Sequence, residues 1–290
     1  MGLLPQILAN TLITASLYAI FTIGFNLLLG AVKFFNIAFG GAILAGGYGF
    51  FLLYKILNFP LAVAFAGGIL LSSLFCLLSY HLIFAPLRAR KSKNFVLLIA
   101  SFGLLIVAQS LVAIFFSSSF QPLAKNLETL TYTLGGARFN IIQLVTFLVA
   151  LTLSIITFAT LKWSRFGKAV RAIKDDEEVA ELSGINTKKI IGALFFVSGI
   201  FAGVGIILFG LDTGVDPSLG LTFILGIVAA VIVGGMGSIT GGILGAVIIA
   251  FFQNLAIWQF SGDWRDVVVF SILIIVLIFR PQGLMGERAI

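Results

Sequence analysis

The chain has little charge, one cysteine and one histidine, and each shortage excludes a class of protein. Only 10% of its 290 residues are charged and 60% are hydrophobic, whereas a soluble domain typically carries about 25% charged residues. The mean hydropathy is correspondingly high, at +1.17. The composition therefore predicts a polytopic membrane protein rather than a soluble globular enzyme.

The shortage of reactive side chains also limits the chemistry. A lone cysteine, Cys76, forms neither a disulfide nor a cysteine metal site within one chain. One histidine, His81, and scattered carboxylates are poor material for a metal or acid–base cluster. The phosphate-binding pattern G-x-x-x-x-G-K-[ST] does not occur. We therefore expect no metal, no cofactor, no catalytic residue and no ATP hydrolysis by this chain.

The positive charge lies between apolar segments rather than in one block. The formal net charge is +7, and its placement fits an anionic cytosolic leaflet better than nucleic acid. Membrane lipid is thus an expected partner, and nucleic acid is not.

Long apolar runs account for most of the chain. A transmembrane helix needs about 20 apolar residues, and no run has a charged residue near its middle. An all-α polytopic bundle in one transmembrane domain, residues 1–290, is predicted, because the ten-residue alternation of a barrel is absent. The first run has no basic n-region and is expected to be a retained span. The predicted spans are 7–30, 34–54, 60–84, 94–117, 140–161, 190–211, 218–235, 241–260 and 266–280.

The distribution of lysine and arginine predicts the orientation. Placing the loop 85–93 in the cytosol puts 14 of the 18 basic residues on that side of the membrane. With nine spans the N-terminus is then outside and the C-terminus cytosolic. The segment 34–54 is rich in glycine and is alternatively re-entrant, which gives eight spans and a cytosolic N-terminus. The outer segments 118–139 and 211–219 either meet an extracytoplasmic protein or are plain connections.

Two glycine-rich stretches, 36–49 and 234–245, interrupt the apolar runs. Glycines four residues apart let helix backbones approach closely, so packing is one interpretation. The other is that glycine-interrupted helices line the substrate path of a transporter. Asn26 and Asn36 either contribute to that path or only form hydrogen bonds with neighbouring helices. The residues assigned to it are Asn26, Asn36, Gly40 and Gly41, with Gly235, Gly237 and Ser238 opposite them.

The longest strongly charged segment is 162–189. A short helix is predicted inside it, with Asp175 as N-cap, Glu178 closing a capping box and Gly184 at its end. The adjacent acids are repelled by an anionic membrane, so docking to a cytosolic protein is favoured over resting on lipid. The residues assigned to docking are Asp175, Asp176, Glu177, Glu178, Ala180, Glu181, Leu182, Gly184, Ile185 and Asn186.

Several motifs carry a family resemblance. Glu178-Val179-Ala180 followed by Gly184 resembles the EAA-xxx-G coupling loop of permeases in binding-protein-dependent ABC importers, with valine in place of one alanine. The run RFGKAVRAIKDDEEVAELSGINTKKI resembles the corresponding loop of the LivH family of branched-chain amino acid permeases. Four further stretches are similar to that family in the right order: GFNLLLGAVKFFNIAFGG, APLRARKSKNFVLLIASFGL, VIVGGMGSITGGILGAVI and FRPQGLMG.

The resemblance implies partners and a class of substrate. It implies a second permease subunit of LivM type, two cytosolic ABC ATPases that engage the docking segment, and an extracytoplasmic substrate-binding protein in a bacterial-type inner membrane. It implies transport of branched-chain or related small amino acids. Where the family commonly has His and Glu, this chain has Phe39 and Gly41. A permease for urea or short amides is therefore the alternative, and an ion-coupled carrier is disfavoured because mid-membrane charge is lacking.

Overall fold

In the computed structural model the chain folds as a bundle of α-helices. The structure describes residues 3–123, 131–134, 136–280 and 282–286, so Lys125, Glu128 and Arg288 of the predicted loops lie outside it. The described residues form twelve α-helices and one two-stranded sheet. In the first half these are α1 Leu3–Val32, α2 Phe39–Phe51, α3 Leu61–Ser79, α4 Ala85–Ala89, α5 Asn94–Phe116, β1 Thr131–Leu134 and β2 Ala137–Asn140. In the second half they are α6 Ile141–Trp163, α7 Arg165–Asp175, α8 Glu177–Leu182, α9 Thr187–Asp212, α10 Leu219–Gly234, α11 Ile239–Gln259 and α12 Trp264–Phe279.

Each of the nine predicted spans falls on a helix. Among the described residues, seven helical runs are long and apolar enough to cross a membrane, two of them lengthened by π-helical turns at Leu52–Ile56 and Tyr80–Phe84. α10 and α12 are shorter, with 16 residues each. The predicted all-α polytopic class is confirmed. A helix suits this setting because it satisfies its own backbone hydrogen bonds in hydrocarbon.

The two ends of the bundle are distinct. At one end the Lys33 ammonium group donates to the Asp175 carbonyl, at 3.4 Å, which brings the end of α1 next to α7. At the other end the Gln6 amide donates to the Arg138 carbonyl, at 3.1 Å, which joins the start of α1 to β2. We call the first the coupling end, since it carries α4, α7 and α8, and the second the opposite end.

α1 and α9 form the centre of the bundle. Within the most apolar 18-residue segment of each helix, 83% of the residues are buried in α1 and 72% in α9. The corresponding share is only 22% in α5 and in α6. The buried aromatic residues Phe21, Phe195 and Phe223 belong to this core. The outer helices instead expose leucine, isoleucine and phenylalanine, as expected of surfaces solvated by lipid tails.

Close backbone contacts hold the central helices together. A Cβ atom at Gly203 of α9 would lie 2.9 Å from the Ile69 Cα atom of α3, and one at Gly199 would overlap the Ser73 backbone. On α11, a Cβ at Gly241 would lie 2.6 Å from the Gly234 carbonyl oxygen of α10. These glycines therefore act in helix packing, the first of the two interpretations above.

α2 and α10 begin in contact with each other inside the bundle. A Cβ at Gly40 would lie 2.5 Å from the Gly220 carbonyl oxygen and 3.1 Å from the Leu105 side chain of α5. Leu105 lies well inside α5, so both helices start away from the ends of the bundle. Non-helical segments, 33–38 and 213–218, lead into them from opposite ends. The predicted interruption by glycine occurs in the stretch 234–245, where α10 ends at Gly234 and α11 begins at Ile239. It does not occur within 36–49, because α2 continues through its glycines, which pack closely against neighbouring helices.

Irregular structure at the opposite end is tied down by backbone hydrogen bonds. β1 and β2 pair antiparallel, with Tyr132 opposite Phe139. Gln121 and Val215 exchange two backbone hydrogen bonds, of 2.8 and 2.9 Å. The described parts of the outer segments 118–139 and 211–219 are therefore attached to each other and to α1.

Candidate functional site

The chain reverses direction where α6 meets α7. The Ser164 hydroxyl accepts a hydrogen bond from the Gly167 N–H, at 2.9 Å, and so caps the start of α7. A Cβ at Gly167 would overlap the carbonyl oxygen and Cα of Leu161. Glycine is therefore required for α7 to fold directly against the end of α6.

α7 is amphipathic and lies with its apolar side on the bundle. Gly167, Val170 and Ile173 are buried, while Lys168 and Arg171 are exposed. This three-residue spacing places the buried residues on one face of the helix. The helix therefore positions the chain that follows it at the surface of the coupling end.

The N-cap of α8 is Asp176, one residue later than predicted. The Asp176 carboxylate accepts from the N–H groups of Glu178, at 2.8 Å, and Val179, at 3.1 Å. Asp175 continues α7 as its last helical residue, and the extended backbone needed at a cap occurs at Asp176. Glu178 is consequently the second helical residue, and the predicted capping box does not form.

The end of α8 was predicted correctly. Gly184 has φ of +83°, the left-handed conformation that favours glycine. Its N–H donates to the Glu181 carbonyl at 3.0 Å, and the Ile185 N–H donates to the Ala180 carbonyl at 3.1 Å. This pair of bonds is the Schellman motif. The Asn186 side chain then caps α9 by accepting from the Lys189 N–H, at 3.1 Å, a role that the sequence analysis missed.

α8 has one face on the protein and one face free. Ala180 is 3% exposed, and Ile185 packs against the core. In contrast Leu182 is 88% exposed and Val179 is 57% exposed. Glu178 and Glu181 are exposed beside them. Six residues thus present two apolar and two acidic side chains on a short, capped helix.

An ion pair fixes α8 to the other basic loop of the coupling end. The Arg88 guanidinium group of α4 binds the Glu177 carboxylate, with side-chain exposures of 20% and 35%. The two residues are 89 positions apart, so the contact could not be predicted from local sequence. Glu177 is therefore turned toward the bundle, while Glu178 and Glu181 are exposed.

The residues predicted for the substrate path fall into two groups. In the first, the Asn26 amide donates to the Ser238 carbonyl and accepts from the Gly237 N–H, each at 3.0 Å. These three residues line a cavity of about 440 Å³ at the coupling end, shared with α6 and α7. Gly235, at φ +124°, packs instead against the backbone of Gly286.

The second group surrounds the start of α2. Asn36 is 2% exposed, and in the described part of the chain its side-chain oxygen has no hydrogen-bond partner. Gly40 faces Gly220, whereas a Cβ at Gly41 would lie 2.7 Å from the Phe75 ring. The structure thus brings Asn26 together with Gly237 and Ser238, and it places Asn36, Gly40 and Gly41 with α3, α5 and α10.

Comparison with known proteins identifies the family. The family model described as "Branched-chain amino acid transport system / permease component" matches residues 7–277. The chain belongs to this permease family. It is accordingly a multi-pass membrane protein and a transport permease.

Curated relatives match this permease over nearly its whole length. It is 31% identical to the high-affinity branched-chain amino acid transport system permease protein BraD of Pseudomonas aeruginosa, covering 97% of this chain and 95% of that protein. It is 29% identical to LivH of Escherichia coli, a permease of the same description, with the same coverage.

A solved structure supports the architecture. The permease resembles a chain of PsaBC from Streptococcus pneumoniae in complex with Fab, with a TM-score of 0.54 and 15% sequence identity. The match covers 96% of this chain and 93% of the other. At this identity the likeness concerns the fold alone.

Proposed function

We propose that this permease, the membrane-spanning subunit of an ABC importer, carries branched-chain or related small amino acids and is driven through α8. Two cytosolic ATPases dock on the exposed face of α8, and ATP hydrolysis takes place in them. A substrate-binding protein delivers the substrate at the opposite end, and a second permease of LivM type completes the membrane unit. The coupling end then faces the cytosol and the N-terminus lies outside.

The observation that carries this proposal is the exposure of α8. A leucine that is 88% exposed at the tip of a capped helix is unfavourable in water but suits a hydrophobic groove on a partner. Glu178 and Glu181 beside it repel an anionic leaflet and favour a protein surface. Because Ala180, Ile185 and the Arg88–Glu177 pair attach α8 to the bundle, a push on α8 reaches the transmembrane helices.

The docking test is charge reversal on the free face of α8. With Glu178→Lys and Glu181→Lys together, we expect at least a tenfold loss of ATPase recovered with the tagged permease. Leucine uptake should fall in parallel while membrane insertion is unchanged. Tenfold corresponds to about 1.4 kcal/mol of binding free energy. The matched control is Asp263→Lys, an exposed acid at the opposite end, which should leave recovery intact. Full ATPase recovery with the double variant would refute docking on α8.

Uptake by the assembled transporter decides the substrate. The alternative, urea or a short amide, is favoured by Phe39 and Gly41, which contribute no polar side chain to the start of α2. Uptake of labelled leucine that is competed by isoleucine and valine but not by urea or acetamide supports the amino acid assignment. Uptake of labelled urea without leucine uptake supports the alternative.

A further inference from the structure

A second cavity lies at the opposite end of the bundle, remote from α8. It has a volume of about 300 Å³ and is lined by residues of α1, α6, α9, α11 and α12. Ten of its fifteen lining residues have polar side chains, which is unusual inside a bundle whose outer surface is apolar. Its volume is at the lower end of the range for small-molecule sites.

The cavity contains two opposite charges that do not pair. Among the described residues that line it, Asp212 is the one carboxylate and Arg265 the one cation. The Asp212 carboxylate accepts from the Asn140 amide and from the Gln143 amide, the latter at 3.2 Å. The Arg265 guanidinium donates to the Tyr18 hydroxyl at 3.1 Å. Each charge is held by neutral groups of other helices or of β2, and no ion pair joins these two described residues.

A buried amide of the same cavity, beside Tyr18, has an unused polar atom. Gln253 is 2% exposed, and its Nε2 donates to the Tyr18 hydroxyl at 3.2 Å. Its Oε1 has no hydrogen-bond partner in the described part of the chain. Exchanging the two amide atoms would only transfer the vacancy to the nitrogen. An unsatisfied buried polar atom costs about 1–3 kcal/mol, so a partner that completes it is expected.

Part of the cavity wall is apolar. Ile13 and Leu17 of α1 and Leu208 of α9 line it together with Ile257 of α11. An aliphatic side chain placed against them would be removed from water, which stabilises binding by about 25 cal/mol per Å² of apolar surface. The cavity therefore offers an anionic group, a cationic group and a hydrophobic wall.

We propose that this cavity binds the zwitterion of a small aliphatic α-amino acid. The ligand carboxylate faces Arg265, the ammonium group faces Asp212, and the side chain lies on the apolar wall. This inference rests on the proposed function and deepens it, since it adds a recognition site within the permease itself. A neutral urea or amide would leave both charges without an oppositely charged partner, and an ion of one sign would leave one of the two charges without such a partner.

The test measures binding of labelled L-leucine to the permease assembled with its partner permease and ATPases in lipid nanodiscs, without the binding protein. Arg265→Gln and Asp212→Asn should each weaken binding at least tenfold. Asp212→Asn retains an oxygen for Asn140 and Gln143, which favours folding. The controls are Arg138→Gln and Asp263→Asn, exposed residues of the same end, and both should bind as the unchanged protein does. Equal binding by all four variants would overturn the proposal.

Ligand analogues provide a second readout that needs no variant. The unchanged protein should bind leucinamide, which lacks the carboxylate, and 4-methylpentanoate, which lacks the ammonium group, at least tenfold more weakly than leucine. In Arg265→Gln the preference for leucine over leucinamide should disappear. Equal binding of all three ligands by the unchanged protein would refute zwitterion recognition.

The two proposals fail in different ways. ATP-driven leucine uptake by the complete transporter, with no leucine binding to the assembly in nanodiscs, overturns the cavity assignment and leaves the importer assignment standing. Urea uptake without leucine uptake overturns the amino acid substrate itself.

Discussion

The charged residues at the two ends of the permease differ in exposure and in their partners. At the coupling end Glu178 and Glu181 stand exposed on a helix of six residues, where water screens them and a partner surface can reach them. At the opposite end Asp212 and Arg265 lie partly buried around one cavity, each bound to neutral groups. Exposed charges cost little and suit a docking surface, whereas partly buried charges without an oppositely charged partner are stabilised by a charged ligand. We infer that the coupling end binds the ATPases that drive transport and that the opposite end binds substrate.

Among the variants that test this difference between the two ends, Gly167→Val is expected to have the largest effect on uptake. In Gly167→Val the side chain would overlap the Leu161 backbone, which cannot move aside as a flexible side chain does. Overpacking of this kind costs about 1–3 kcal/mol or more, so α7 should detach from α6. We expect ATP-driven uptake to be lost while leucine binding in nanodiscs is kept. Gly103→Val is the control, because no atom lies within 4 Å of a Cβ there; equal loss with both variants would count against the account.

An intermediate effect is expected at Asn26. Asn26→Ala removes two hydrogen bonds to the 237–238 turn. The part-buried Gly237 N–H then loses its acceptor, at a cost of about 1–3 kcal/mol, whereas the Ser238 carbonyl still accepts from the Gly242 N–H. Thermal unfolding of the purified transporter should show a lower Tm with leucine affinity unchanged. The Tm of Asn26→Ala is compared with that of Asn36→Ala, because the amide oxygen of Asn36 has no hydrogen-bond partner among the described residues. Asn36→Ala should lower Tm less. A changed uptake affinity in Asn36→Ala would support its place on the substrate path, and unchanged affinity and selectivity would remove it.

The smallest effect is expected at the Arg88–Glu177 ion pair. Both side chains are partly exposed, and such pairs typically contribute about 0–1 kcal/mol. Glu177→Gln should therefore reduce ATPase recovery by less than fivefold, and the difference should shrink at high salt. A loss as large as that of the Glu178/Glu181 double reversal would show that α8 depends on this pair for its position.

Much of the structure of the coupling end could be predicted, because the residues that determine it are adjacent in the sequence. The turn at Gly184 and the acids before it are local features, and local rules located α8 to within a residue. The shift of the N-cap to Asp176 arose because α7 continues one residue further, packed on the bundle through Ile173. Tertiary packing, rather than propensity, decided that boundary.

The opposite-end cavity could not be predicted in the same way. Its polar residues come from five helices, and Tyr18 and Arg265 are 247 positions apart. Taken alone, Asp212 and Arg265 fit the ends of transmembrane helices, whereas Tyr18 lies near the middle of α1. Only the packing of α1 against α11 and α12 brings Tyr18, Gln253 and Arg265 together. The apolar spans were similarly easy to locate, but which of them form the centre depends on non-local contacts.

The most direct test of the account is cross-linking at the tip of α8. Leu182→Cys places a thiol where the side chain is 88% exposed, while the native Cys76 is 2% exposed and shielded from reagent. Ile114→Cys, at a side chain that is 75% exposed on α5, is the control. The account predicts that a short thiol–amine reagent joins Leu182→Cys, but not Ile114→Cys, to the ATPase subunit in the assembled transporter. An active transporter in which Leu182→Cys never cross-links to the ATPase, or does so no better than Ile114→Cys, would contradict it.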